Sequence, residues 1–145
     1  MGPLTIKKYP EGILRQVCQP IEKITENEIR LFHQMLFSMR YFCGIGLAAP
    51  QIGIAKKIIV AEVGDNIIKL ANPEILDVTG SDNMEEGCLS VPGVMVDVDR
   101  PARAVVKGVN EKGEAVEMEA DGLLARVLQH EIDHLSGKLI IDYRK

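Results

Sequence analysis

His130 and His134 stand four residues apart, with Glu131 directly after the first, in the run Gln129-His130-Glu131-Ile132-Asp133-His134-Leu135. On a helix that spacing puts the two imidazoles on one face, roughly 40° apart around the axis, so both can reach one divalent metal. The glutamate beside them is close enough to carry protons for the same site. The chain has three histidines, and two of them are spent on this motif. The chemistry it points to is metal-dependent hydrolysis.

A catalytic metal needs a third protein ligand. Only eleven residues follow His134, with Asp142 the one carboxylate among them and no histidine, so the ligand is expected upstream, from His33, Cys18, Cys43 or Cys88. His33 falls off the apolar stripe of its helix and is expected to be solvated, while Cys18 reads as a small buried hydrophobe. Cys43 is expected to pack, with oxidation near a pocket as its alternative. Cys88 differs: it lies in Glu85-Glu86-Gly87-Cys88-Leu89-Ser90, where a glycine lets backbone approach a metal closely. Two imidazoles, one thiolate and a water make a tetrahedral catalytic site with one exchangeable position. Glu86 and Arg100 are a candidate ion pair that holds this second segment in shape.

The elements that must position these groups can be read next. Around the motif, Leu124, Leu128, Ile132 and Leu135 form an apolar flank and Arg126, Gln129, Asp133 and Ser136 a polar one, with Asp121 expected to cap the helix and Gly137 to end it. The histidines continue the line of Leu123 and Val127, next to the core. An earlier helix over about 26–42 begins at the capping box Thr25-Glu26-Asn27-Glu28 and buries Ile29, Phe32, Leu36 and Met39. Lys57 to Val63 and Ile67 to Ala71 read as buried strands. Ala102 to Val109 and Ala115 to Glu119 read as a hairpin about Asn110-Glu111-Lys112-Gly113. Antiparallel strands with segregated helices make an α+β domain, one unit over 1–145.

Composition excludes several classes. With 46% apolar and 26% charged residues the chain reads as globular, and a net charge of −4 without a basic stripe argues against nucleic-acid binding. There is no run of membrane-spanning length and no signal-type stretch at the start, and Ile6 breaks the myristoylation pattern. Three cysteines, an odd number, suit a reducing compartment, and the cytosol is expected.

Three separated segments together carry a specific resemblance. Gly44-Ile45-Gly46-Leu47-Ala48-Ala49-Pro50-Gln51, Glu86-Gly87-Cys88-Leu89-Ser90 and Gln129 to Leu135 resemble, in order and spacing, the three motifs of peptide deformylases, with similarity from about Ile6 to Tyr143. The resemblance implies removal of the N-formyl group from nascent formyl-Met polypeptides, and antiparallel β-sheets packed around a central helix that carries the H-E-x-x-H motif. It implies Cys88, His130 and His134 as ligands of one divalent ion, ferrous iron in its native state with zinc, nickel or cobalt able to substitute. It implies Glu131 as proton shuttle, and Gln51 and the backbone N–H of Leu89 as donors to the formyl oxygen.

Gly44, Ile45 and Gly46 are expected at the substrate, with Gly44, Gly46 and Leu89 crowding the formyl end. Ile45, Leu47, Val127 and Ile132 are candidates for the methionine pocket. No basic residue lies between Ser90 and Arg100, so an arginine clamp on the substrate from this stretch is not expected. The chain is expected to act as a monomer. Ribosome docking through a further C-terminal helix, known in some family members, is in doubt because the sequence stops soon after Tyr143.

Overall fold

Thr25 opens the first long helix, α1 (Glu26–Tyr41), through the expected capping box. Its hydroxyl accepts the Asn27 N–H at 3.3 Å, and Glu28 returns a carboxylate oxygen to the Thr25 N–H at 2.8 Å. Phe32, Met35, Leu36 and Met39 are buried along one face, and Ile29 is half-buried. The helix ends in a tight turn at Cys43, which takes φ 61°, while the Gly44 N–H reaches back to the Met39 carbonyl at 2.8 Å. These coordinates are a computed structural model that describes residues 2–144; Met1 and Lys145, the ends of the expected domain, lie outside the described residues.

Strands β1 (Gly46–Ala48), β2 (Ile58–Val63) and β3 (Asn66–Thr79) follow. Then come β4 (Asp82–Glu86), β5 (Val96–Arg100), β6 (Arg103–Val109), β7 (Ala115–Asp121) and the second helix, α2 (Gly122–Leu135). Five strands form one antiparallel sheet in the order β1-β2-β3-β6-β7, while β4 and β5 pair separately as a two-stranded ribbon. The α+β class expected from the sequence is the one found.

The apolar run 58–61 of β2 has a direct cause, since this part of the strand is covered on both faces. Ile58 and Val60 pack with Phe32, Met35 and Met39 of α1, whereas Ile59 and Ala61 pack with Ala125, Val127 and Leu128 of α2. The α2 helix therefore lies between the sheet and the ribbon, whose own small cluster joins Val96 and Val98 to Ile140, Cys88 and Tyr143. That places the motif helix at the centre of the domain.

Two local expectations need correction. The second strand does not stop at Ala71 but runs to Thr79. Asn72 sits at φ 52° in a register shift, with its side chain bonded to both the N–H and C=O of Ile21, so the strand kinks and continues. Asp121 occupies the N-cap of α2 without making a side-chain cap; α2 gets its start from Gly122 at φ 58°, whose N–H bonds the Ala102 carbonyl at 3.1 Å. Gly137 ends α2 as expected, at φ 78°.

Candidate active site

His130 and His134 leave α2 from one buried face, and their Nε2 atoms converge to 3.3 Å. Cys88 arrives from the end of β4, past Gly87, with Sγ 3.5 Å from His134 Nε2. Metal bonds of about 2.0–2.1 Å to nitrogen and 2.3 Å to sulfur, at tetrahedral angles, separate donor atoms by about 3.3–3.6 Å. The two distances from His134 Nε2 match that spacing, and all three donors lie within 4.8 Å of one another, close enough to share a divalent ion. His33 and Cys43 are exposed and Cys18 is buried in the core below β2, so none of the other upstream candidates joins the cluster.

Of the two imidazoles, His130 has a supporting partner, whereas His134 Nδ1 has none among the described residues. His130 Nδ1 lies 2.9 Å from Glu86 Oε1, which fixes the proton on Nδ1 and leaves the Nε2 lone pair for a metal. Glu86 is saturated: Arg100 donates to both of its oxygens, at 2.6 and 3.0 Å, and Arg126 donates to Oε2. The proposed Glu86–Arg100 pair is therefore real and buried. Arg126, read from sequence as part of a polar flank, is only 4% exposed and belongs to the same network. Nothing local marked it, because its partners lie 28 and more residues away.

The electrostatics of the site call for a cation. Burial raises the Glu86 carboxyl, yet the hydrogen bonds of His130 and Arg100 overcome this and hold it at about 2. Burial depresses His130, and Glu131, Cys88 and Glu86 outweigh it, carrying the imidazole to about 10. His134 moves the opposite way, well below the ordinary range, through burial first and then the charges of His130 and Arg100. Without an ion the acidic groups draw one proton onto one of two adjacent imidazoles. A divalent cation meets the same demand at both rings, so the residues fit a metal.

Glu131 is 4% exposed, and burial pushes its carboxyl up to about 7 despite the opposing charges of His130 and Arg100. Its Oε1 has no partner among the described residues, while Oε2 lies 3.9 Å from His130 Nε2. A buried carboxyl beside the metal position is suited to proton transfer. Gln51 is 2% exposed, and its carbonyl oxygen is held by the Ala48 N–H at 2.9 Å. That turns its amide N–H₂ toward Ser90 Oγ at 3.1 Å and Cys88 Sγ at 3.6 Å, along the site. The Leu89 N–H has no acceptor among the described residues.

These groups open into a cavity of about 580 Å³. Gly44, Ile45 and Gly46 form the wall on the free edge of the five-stranded sheet, where β1 has one strand neighbour. A Cβ on Gly46 would meet the Glu131 carboxylate and lie 2.8 Å from Val127 Cγ1, so glycine is required for space. Of the four candidates for the methionine pocket, Ile45 and Val127 line the cavity. Leu47 and Ile132 do not: Leu47 is fully buried against α1, and Ile132 packs on the core beneath α2. Met84, Met95 and Leu123 add to the apolar lining: Leu123 lies on the α2 line of Val127 and the histidines, whereas long-range pairing alone brings Met84 and Met95 there.

Two helix-borne imidazoles, an upstream thiol and a buried carboxyl, framed by antiparallel sheets, define a metal-hydrolase type of centre. The polypeptide deformylase family profile matches residues 3–145. A peptide deformylase of Carboxydothermus hydrogenoformans is 50% identical over 142 residues, covering 98% of this chain and 93% of its own. The crystal structure of peptide deformylase from Thermotoga maritima superposes with a TM-score of 0.97 at 40% identity, covering 100% of this chain and 99% of that one. That from Synechococcus elongatus, in complex with actinonin, gives 0.96 at 40% identity, covering 100% of this chain and 80% of that one. The chain belongs to the polypeptide deformylase family.

Proposed function

We propose that this chain hydrolyses the N-formyl group of formyl-methionyl nascent peptides, releasing formate and a free amino terminus, with Cys88, His130 and His134 holding one divalent metal. The observation that carries the reading is the convergence on one cavity of three donor atoms at metal-ligand spacing, with Glu131 and the Gln51 amide beside them. When bound there, such an ion supplies Lewis acidity and acidifies a coordinated water toward neutral pH.

The remaining work falls to the chain. Glu131 takes the proton of the attacking water and returns it to the departing amine nitrogen. Gln51 Nε2 and the Leu89 N–H donate to the formyl oxygen as negative charge gathers on it. The free edge of β1 offers backbone groups to an extended peptide, and glycines at 44 and 46 admit that backbone closely. Ile45, Val127, Met84 and Leu123 give the methionine side chain an apolar, deformable seat.

Ferrous iron is proposed as the native ion; a thiolate with two imidazoles also accepts zinc, nickel or cobalt. A monomer is proposed as the working unit. No helix among the described residues is long and apolar enough to cross a membrane. Since the proposed substrate is a nascent chain, the cytosol is the proposed location.

Release of formate from formyl-Met-Ala-Ser, of acetate from acetyl-Met-Ala-Ser and of fragments from an internally cleavable peptide tests the assignment. Hydrolysis of the formyl substrate alone is expected. The acetyl group adds a methyl against Gly46 and Leu89, where overpacking of about 1–3 kcal/mol and a displaced carbonyl both slow the reaction. Comparable turnover of formyl and acetyl peptides, or cleavage of the internal bond, would overturn it.

A further inference from the structure

The ribbon that carries Cys88 is not part of the five-stranded sheet, and its apolar attachment to the rest of the domain is small. Buried polar links join it to α2 on either side of His130. Arg100 of β5 reaches Asp133, three residues after His130, at 2.9 Å, and Asp133 is partly open to solvent. Arg126, four residues before His130, reaches the other way and is buried. Its Nη1 donates to Glu86 Oε2 and to the Val98 carbonyl at 3.0 Å, and its Nη2 donates to the Asp82 carbonyl at 2.8 Å. One guanidinium thus grips both strands of the ribbon and the carboxylate that orients His130.

We propose that Arg126 is a positioning residue, which sets the distance between the Cys88 arm and the histidine helix and so determines how tightly the metal is held. The inference rests on the reading of Cys88, His130 and His134 as ligands. The geometry favours Arg126 because a guanidinium fork can satisfy three acceptors in fixed directions, which a lysine ammonium on a flexible stem does less well. The carboxylate–histidine link that it supports is of the kind whose loss costs 10–100-fold in metal affinity. The Arg126 side chain also borders the cavity, so the same residue joins the metal centre to the substrate wall.

The test uses cobalt-loaded protein and two readouts besides activity: the rate of cobalt loss to a chelator, and the visible cobalt and thiolate-to-cobalt absorption bands. Arg126→Met keeps a stem of similar length and removes the fork. Val106→Ala, in the sheet core away from the site, serves as the control for lowered stability alone. Arg126→Met is expected to release cobalt at least tenfold faster, with altered bands, while Val106→Ala matches wild type in both. Arg126→Lys is expected to fall between.

Release within threefold of wild type and unchanged bands in Arg126→Met would overturn the proposal, as would equal cobalt loss in Val106→Ala. If Arg126→Met does not fold, Arg126→Lys decides by the same threefold limit. A wild-type protein that binds no stoichiometric cobalt, or a Cys88→Ala protein with wild-type bands, would instead defeat the ligand assignment beneath it.

Discussion

Glu86 Oε1 lies 2.9 Å from His130 Nδ1, although the two residues are 44 positions apart and on different elements. The carboxylate also receives two buried guanidinium groups, so its removal takes an acceptor from four N–H donors on three side chains. Glu86→Ala should lower the stability of the metal-free protein by about 3–5 kcal/mol, as expected for breaking a buried ion pair. Urea denaturation checks this. Metal affinity should fall by about 10–100-fold in the same variant, read by competition with a chelator.

A second expectation concerns Gly46, whose missing side chain leaves room for the Glu131 carboxylate. Gly46→Ala should displace Glu131 and narrow the cavity, with about 1–3 kcal/mol of overpacking and a loss of kcat of tenfold or more. Metal content should stay near one per chain, because the atoms nearest the added methyl belong to Glu131 and Val127 rather than to a ligand candidate. Metal analysis beside steady-state kinetics separates the two effects.

The sequence was most informative where structure depends on near neighbours. The Thr25 capping box, the H-E-x-x-H helix and the glycine at 137 all rest on contacts within a few residues, and each is found where expected. Cys88 stood out because its glycine neighbour and motif mark it. Arg126 and the cavity-lining Met84 and Met95 did not, because only the pairing of β4 with β5 and their docking on α2 bring them to the site. Leu47 and Ile132 show the converse error. Each lies within a motif, yet the alternation of β1 and the pitch of α2 turn both toward the core.

A thiolate-ligated ferrous centre is sensitive to oxygen, since Cys88 and the iron can both be oxidised. Protein prepared in air is therefore expected to show reduced activity and to regain it when loaded with nickel or cobalt. Assays of anaerobic iron-loaded and zinc-loaded protein at equal metal content check this. Equal activity of the two forms would contradict ferrous iron as the native ion.

The account turns on Glu131 as the group that moves the proton, and one substitution isolates that role. Glu131→Gln keeps the size of a buried side chain that is not needed as a metal ligand. Formate release from formyl-Met-Ala-Ser should be measured on wild-type and Glu131→Gln proteins that hold equal metal. A fall of about 10³-fold or more, with metal content and thermal midpoint kept, is the predicted result. Deformylation at near wild-type rate by the metal-loaded variant would contradict the account.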